Sequence, residues 1–343
     1  MRRRTFTRTL TLGAAGLALS ASRATPARLR RPERLRRGDA VGLITPASFI
    51  SDDSLQKAVT NLESLGLKVV MGQHLRDRYG SLAGTDAQRL SDLHQFFADP
   101  KIKGIWCARG GYGTPRLLEQ IDYRLVKLNP KVFIGYSDIT ALLNAFWERS
   151  QLVSFHGPVG ASTFTDYTRE QVQRTLFEPS HPLVIAPPAV QLDEAQTDSA
   201  YEPQTIRGGT ATGPLVGGNL SLLASSVGTT YAPDVRGKLL FIEDIGEKPY
   251  RIDRMLTTLR QAWPLEKAAG IVLGIFNDCE AKAGTFSLTL QQTLRDRLGD
   301  LPIPIAYGLP IGHIDNMCTL PVGVPARLAA DDLQLTILES GVK

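Results

Sequence analysis

Apolar residues in the first half of the chain fall alternately into short unbroken runs and into stripes at helical spacing. Ala40 to Thr45 is a run closed by Pro46, after which Leu55, Val59, Leu62 and Leu65 recur every three or four residues up to Gly66. This predicts a strand, a helix and a glycine stop. Leu67 to Met71 predicts a second strand, and Thr85 with Gln88 three positions later has the form of a capping box for a helix carrying Leu90, Leu93 and Phe97. Ile102 to Ala108 is the third run; in the ARGGYGTP after it, Thr114 is placed to cap a helix and Pro115 to occupy its first turn. Val132, Phe133 and Ile134 form a fourth, bending at Gly135 into a helical stretch from Asp138 to Arg149, and Leu152 to Phe155 a fifth, ending at His156. Strands alternating with helices imply an α/β fold around a parallel sheet, whose ligands bind outside the carboxyl ends of the strands.

The periodicity lapses after about residue 182, in VIAPPAVQLDEAQTDSAYEPQT, which is rich in proline and acids. We read residues 38–182 as an N-terminal α/β domain, 183–207 as a linker and 208–343 as a smaller C-terminal α/β domain. In the second domain GPLVGGNLSLLASSVGT reads as a glycine turn followed by a short apolar helix. Lys238 to Ile242 is a strand with Glu243 and Asp244 at its end, and Ile252, Met255, Leu256 and Leu259 mark a helix. Ile271 to Phe276 and Ile303 to Tyr307 are further strands, the last leading into PIGHID with His313.

Composition changes this picture only at the N-terminus. The 343 residues, 43% hydrophobic and 21% charged, suit globular domains, and the formal charge of +5 comes from one place. Residues 1–24 hold Arg2, Arg3, Arg4, Arg8 and Arg23 and no acid, so the rest of the chain is formally neutral and a nucleic-acid partner loses its support. A basic start, an apolar run from Leu10 to Leu19 and small residues up to Ala24 have the form of a cleaved export signal, and Arg3, Arg4, Thr5 and Phe6 that of the twin-arginine type. Ten apolar residues are too few to span a bilayer, so the expectation is a periplasmic protein without stable membrane insertion, preceded by a solvated basic linker at 25–37. Cys107, Cys279 and Cys318 lack C-x-x-C spacing and the five histidines lack H-E-x-x-H, so no metal is expected; a single disulfide stays open. GGYGT matches neither dinucleotide nor P-loop spacing, and no cofactor is expected.

Candidate chemistry gathers at the corner KVFIGYSDIT, residues 131–140, where a strand turns abruptly into a helix with Ser137 at the bend. A nucleophile elbow has this shape, and the N–H of the residue after its serine, here Asp138, faces the developing oxyanion. The second glycine of G-x-S-x-G is missing, and a serine before a helix is far more often an N-cap than a nucleophile. A serine nucleophile needs a base and an acid to orient it. Glu243, Asp244 and Glu247 compete for the acid: alternation puts Glu243 and Asp244 on opposite faces of one strand, and Glu247 falls in a loop. His313 and His156 compete for the base, while Cys107 is a rival nucleophile and His74, His94 and His181 are expected at the surface.

Six segments in order, ARGGYG (108–113), GYSDIT (135–140), FHGP (155–158), GGNLSLLASSVGT (217–229), FIEDIGEKPYRIDRML (241–256) and GLPIGHIDN (308–316), together resemble the LD-carboxypeptidase family. These serine peptidases include muropeptide-recycling and microcin-resistance enzymes. The resemblance implies an N-terminal domain similar to class I glutamine amidotransferases and a C-terminal domain that supplies two triad members. It implies Ser137 as nucleophile, Glu243 as acid, His313 as base, and the N–H groups of Gly111 and Asp138 as oxyanion hole. The implied reaction is hydrolysis of the amide before a C-terminal D-alanine in murein peptides, through an acyl-enzyme; the implied assembly is a homodimer. An export signal departs from the cytoplasmic recycling role and favours trimming of murein peptides in the periplasm. Arg109 and Arg254 are candidates for the substrate's terminal carboxylate.

Overall fold

A computed structural model describes residues 29–343 apart from Ala283; the expected export segment at 1–24 lies outside the described residues. The apolar runs of the first half become β1 (Ala40–Ile44), β2 (Lys68–Met71), β3 (Ile102–Cys107), β4 (Val132–Gly135) and β5 (Phe155–His156). The second half supplies β6 (Leu183–Ile185), β7 (Gln204–Arg207), β8 (Thr210–Asn219), β9 (Leu239–Ile245), β10 (Gly270–Asn277) and β11 (Ile305–Tyr307). It ends with β12 (Leu320–Pro321), β13 (Pro325–Ala329) and β14 (Gln334–Ile337). The helices are α1 (Asp52–Ser64), α2 (Asp86–Ala98), α3 (Tyr123–Leu128), α4 (Thr140–Ser150) and α5 (Asp166–Val172), then α6 (Ala189–Glu194), α7 (Leu220–Ser225), α8 (Pro249–Ala262) and α9 (Leu290–Leu298). The capping box at Thr85 and Gln88 opens α2, with both of its reciprocal bonds made.

Two sheets organise the molecule as a two-domain α/β protein. The first runs β12-β5-β4-β3-β1-β2, parallel from β5 to β2, with β12 antiparallel at its edge. The second runs β6-β14-β13-β8-β9-β10-β11-β7 and has a parallel centre, β8 to β11, flanked by antiparallel strands. Among the described residues no helix is long and apolar enough to cross a membrane.

Several segments differ from the reading of the sequence. Residues 183–207, expected as a linker, carry β6 and β7 on the two edges of the second sheet, with α6 between them. Their alternation is too short to register against proline-rich neighbours. Residues 29–37 are not a free basic linker either: Leu35 is 1% exposed and its N–H donates to Leu176 O. The glycines of GPLVGGN lie inside β8 rather than in a turn, and the reason is packing. A Cβ on Gly218, at φ 135°, would come within 2.4 Å of Thr140 Oγ1 at the start of α4. Thr140 Oγ1 accepts the Asn219 N–H at 3.0 Å, and Asn144 Nδ2 donates to Gly217 O at 2.9 Å. The helix that follows Ser137 is thereby docked directly on the strand beside β9.

Candidate active site

Ser137 stands between β4 and α4 at φ 63°, a left-handed conformation that holds roughly 1–3 kcal/mol of strain in a residue other than glycine. This excludes the capping reading, because an N-cap is extended, and neither the short turn Ser137–Ile139 nor α4 has a side-chain cap. The loop after β3 lies against the serine. A Cβ on Gly110 would meet Ser137 Cβ at 3.0 Å and Oγ at 3.2 Å, and Gly111, at φ 111°, is pressed on Ser48, whose Oγ accepts the Tyr112 N–H at 3.0 Å. Asp138 is turned inward: its carboxylate accepts the Thr114 N–H at 2.8 Å, and Thr114 Oγ1 donates to Asp138 O instead of capping its own helical turn. These bonds tie the Gly110–Gly113 loop to the elbow.

At the end of β9, Glu243 is fully buried and its Oε2 lies 2.7 Å from His313 Nδ1. Burial alone would raise the Glu243 carboxyl, but the His313 charge and hydrogen bond overturn it and hold the pKa below the ordinary value. Burial would likewise lower His313; the charge and hydrogen bond of Glu243 outweigh it and raise the imidazole. Asp244 faces away, accepting from Asn219 Nδ2 and from the N–H and hydroxyl of Ser221 at the start of α7. Its pKa is pushed up to about 6 by burial and by Glu243 beside it. Glu247 pairs with Arg251.

The two halves meet at Tyr136, whose ring centroid lies 4.8 Å from that of His313 and 6.0 Å from that of His156. A cleft of about 420 Å³ is lined by Tyr136, His313, Asn277, Lys57, Glu194 and Asp315, and a neighbouring hollow by Arg109, Tyr136 and Ser162. Among the described residues no hydrogen bond joins Ser137 Oγ to His313, and the Nδ1 contact with Glu243 leaves Nε2 for that role. His156 is fully buried, and burial lowers its pKa to about 4. Cys107 is also fully buried, and burial, then the Asp138 charge, push its thiol up, which disfavours the thiolate that a cysteine nucleophile needs. Cys107, Cys279 and Cys318 are all free. His74 pairs with Asp77 and His94 accepts the Asp122 N–H, and both, like His181, are half-buried rather than exposed. Arg254 stacks on Tyr250 along α8. Among the described residues no cluster of His, Cys, Asp or Glu could hold a metal. Sequence reasoning missed Tyr136 and Asn277, whose Nδ2 donates to His313 O at 2.9 Å. Asn277 ends β10, so the strand-end rule could have found it.

Residues 41–157 match the LD-carboxypeptidase N-terminal domain and residues 212–328 the LD-carboxypeptidase C-terminal domain. The chain belongs to the LD-carboxypeptidase family. As an LD-carboxypeptidase relative it is a serine-type peptidase, a hydrolase. Bacillus subtilis has a probable murein peptide carboxypeptidase 41% identical to it over 315 residues, 91% of this chain and 95% of that one. The crystal structure of muramoyltetrapeptide carboxypeptidase from Oxalobacter formigenes superposes with a TM-score of 0.76 at 30% identity, covering 88% of this chain and 99% of that one. The microcin C7 self-immunity protein MccF of Escherichia coli is 27% identical, over 88% of this chain and 94% of its own.

Proposed function

We propose that this LD-carboxypeptidase hydrolyses the amide before a C-terminal D-alanine in murein tetrapeptides, through an acyl-enzyme on Ser137. The observation that carries the residue assignment is the left-handed Ser137 at a strand–helix corner, across Tyr136 from the buried Glu243–His313 pair. Ser137 Oγ attacks the carbonyl carbon while His313 Nε2 takes its proton, and Glu243 supports the resulting imidazolium through Nδ1–H. The N–H groups of Asp138 and Gly111 receive the oxyanion. Collapse of the tetrahedral adduct breaks the C–N bond, and His313 returns the proton to the leaving amine of D-alanine. Water, deprotonated by the same imidazole, then cleaves the ester. Arg109, on the wall next to Tyr136, is our candidate for the D-alanine carboxylate.

Incubation with L-Ala-γ-D-Glu-meso-diaminopimelate-D-Ala should release D-alanine, and the peptide ending in L-Ala should not react. Ser137→Ala should lower kcat/KM by about a thousandfold or more while the fold persists. Turnover of a peptide–nucleotide conjugate alone would move the substrate to another acyl class, and no turnover of any such compound would favour a murein-peptide binding protein. We further propose that the enzyme works in the periplasm, on the strength of the Arg3–Arg4 start and the Leu10–Leu19 run. Replacing both arginines by lysine should strand the precursor in the cytoplasm; an unchanged periplasmic yield would count against this route.

A further inference from the structure

His156 takes no part in the steps above, yet it is fully buried and neither of its ring nitrogens has a hydrogen-bond partner among the described residues. A neutral imidazole carries one N–H, and leaving such a donor dry and unpaired costs about 1–3 kcal/mol. A second orphan of opposite kind lies on the strand that the His156 ring packs against: Glu243 Oε1, the oxygen that His313 does not use, is buried without a partner. Phe241 and Glu243 lie two residues apart on one face of β9, and the His156 ring meets Phe241 edge-on with centroids 5.1 Å apart. The other titratable groups beside His156 and Glu243 are His313 and Tyr136, with Asp244 on the far face of β9.

We propose that His156 is a positioning residue for Glu243, its neutral ring turning one N–H toward Oε1 across one intervening water. The donor comes from β5 and the acid from β9, so this contact ties the acid to the domain that bears Ser137. A second donor on the carboxylate also tempers its attraction for the His313 proton and keeps the base from being held too strongly in its charged form. The inference rests on the reading of Ser137, Glu243 and His313 as the catalytic set, and its test needs no substrate, so the two can fail separately.

The test is nitrogen-15 NMR of the histidine rings in the full chain, following His313 and His156 with pH in the wild type, His156→Phe and His156→Gln. Loss of the donor in His156→Phe should raise the His313 pKa by about half a unit or more. His156→Gln, which keeps an N–H, should return it toward the wild-type value. In the wild type one His156 ring nitrogen should carry a slowly exchanging proton between about pH 5 and 8, with the ring neutral. An unchanged His313 titration in a folded His156→Phe protein would overturn the proposal. If that variant does not fold, a doubly protonated or unprotected His156 ring in the wild type at pH 6 would do the same.

Discussion

Three carboxylates within five residues, Glu243, Asp244 and Glu247, have three different surroundings, and alternation along β9 separates the first two. Glu243 meets His313, Asp244 caps α7 from the opposite face, and Glu247 holds Arg251 at the surface. This much was legible in the sequence, because period two decides which side chain faces the cleft and a loop carboxylate lacks a rigid mount. The raised pKa of His313 sets the sign of a pH effect. In the mechanism we propose only the neutral ring can accept a proton from Ser137, so kcat/KM should fall as pH drops through a value above the ordinary histidine pKa. In Glu243→Gln the charge that opposes burial is gone; the acid limb should move to lower pH, and kcat should fall by several kcal/mol of barrier. Glu247→Gln should lose about 1 kcal/mol or less. Steady-state profiles of the two purified variants check this, and a crippled Glu247→Gln with an intact Glu243→Gln would reverse the assignment.

Among elements, the docking of α4 on β8 matters most for the site. Gly218 has a gap of less than one carbon to Thr140, while its neighbour Asn219 is in register with Glu243. Gly218→Ala must therefore push the first turn of α4 away from the strand next to the acid, and its φ of 135° adds strain. We expect a loss of about 2–4 kcal/mol in stability and a larger drop in kcat than in substrate affinity, read by thermal melts and by kinetics on the same preparation. The sequence hid this element. Glycine pairs ordinarily break strands; Gly217 is required by the backbone of Phe241 on the neighbouring β9, and Gly218 by Thr140, which lies in the other domain. The β–α alternation of the first half, by contrast, was readable because each strand is an unbroken apolar run and each long helix has a stripe or a cap. The antiparallel strands β6, β7 and β12 to β14 escaped because they are short, and because β12 and β13 contain proline.

At the scale of the molecule the two domains share pieces. The edge of the first sheet is β12, which comes from near the end of the chain, and Lys343 exchanges backbone bonds with Pro32 and Arg34. The first sheet is therefore not complete in one half of the sequence, whereas every strand of the second comes from the second half. Thermal unfolding followed by far-ultraviolet circular dichroism and by tryptophan fluorescence should give coincident midpoints; Trp106 and Trp147 report the first domain and Trp263 the second. Two separated transitions would show that the shared strand contributes little. The place of β12 also bears on the timing of biosynthesis. While the ribosome is still making the second domain, the sheet under Ser137 lacks its outer strand, and His313 is absent for most of that interval. A chain interrupted before residue 320 thus lacks the edge strand of the sheet under Ser137, and the site we propose cannot be assembled until β12 has been made.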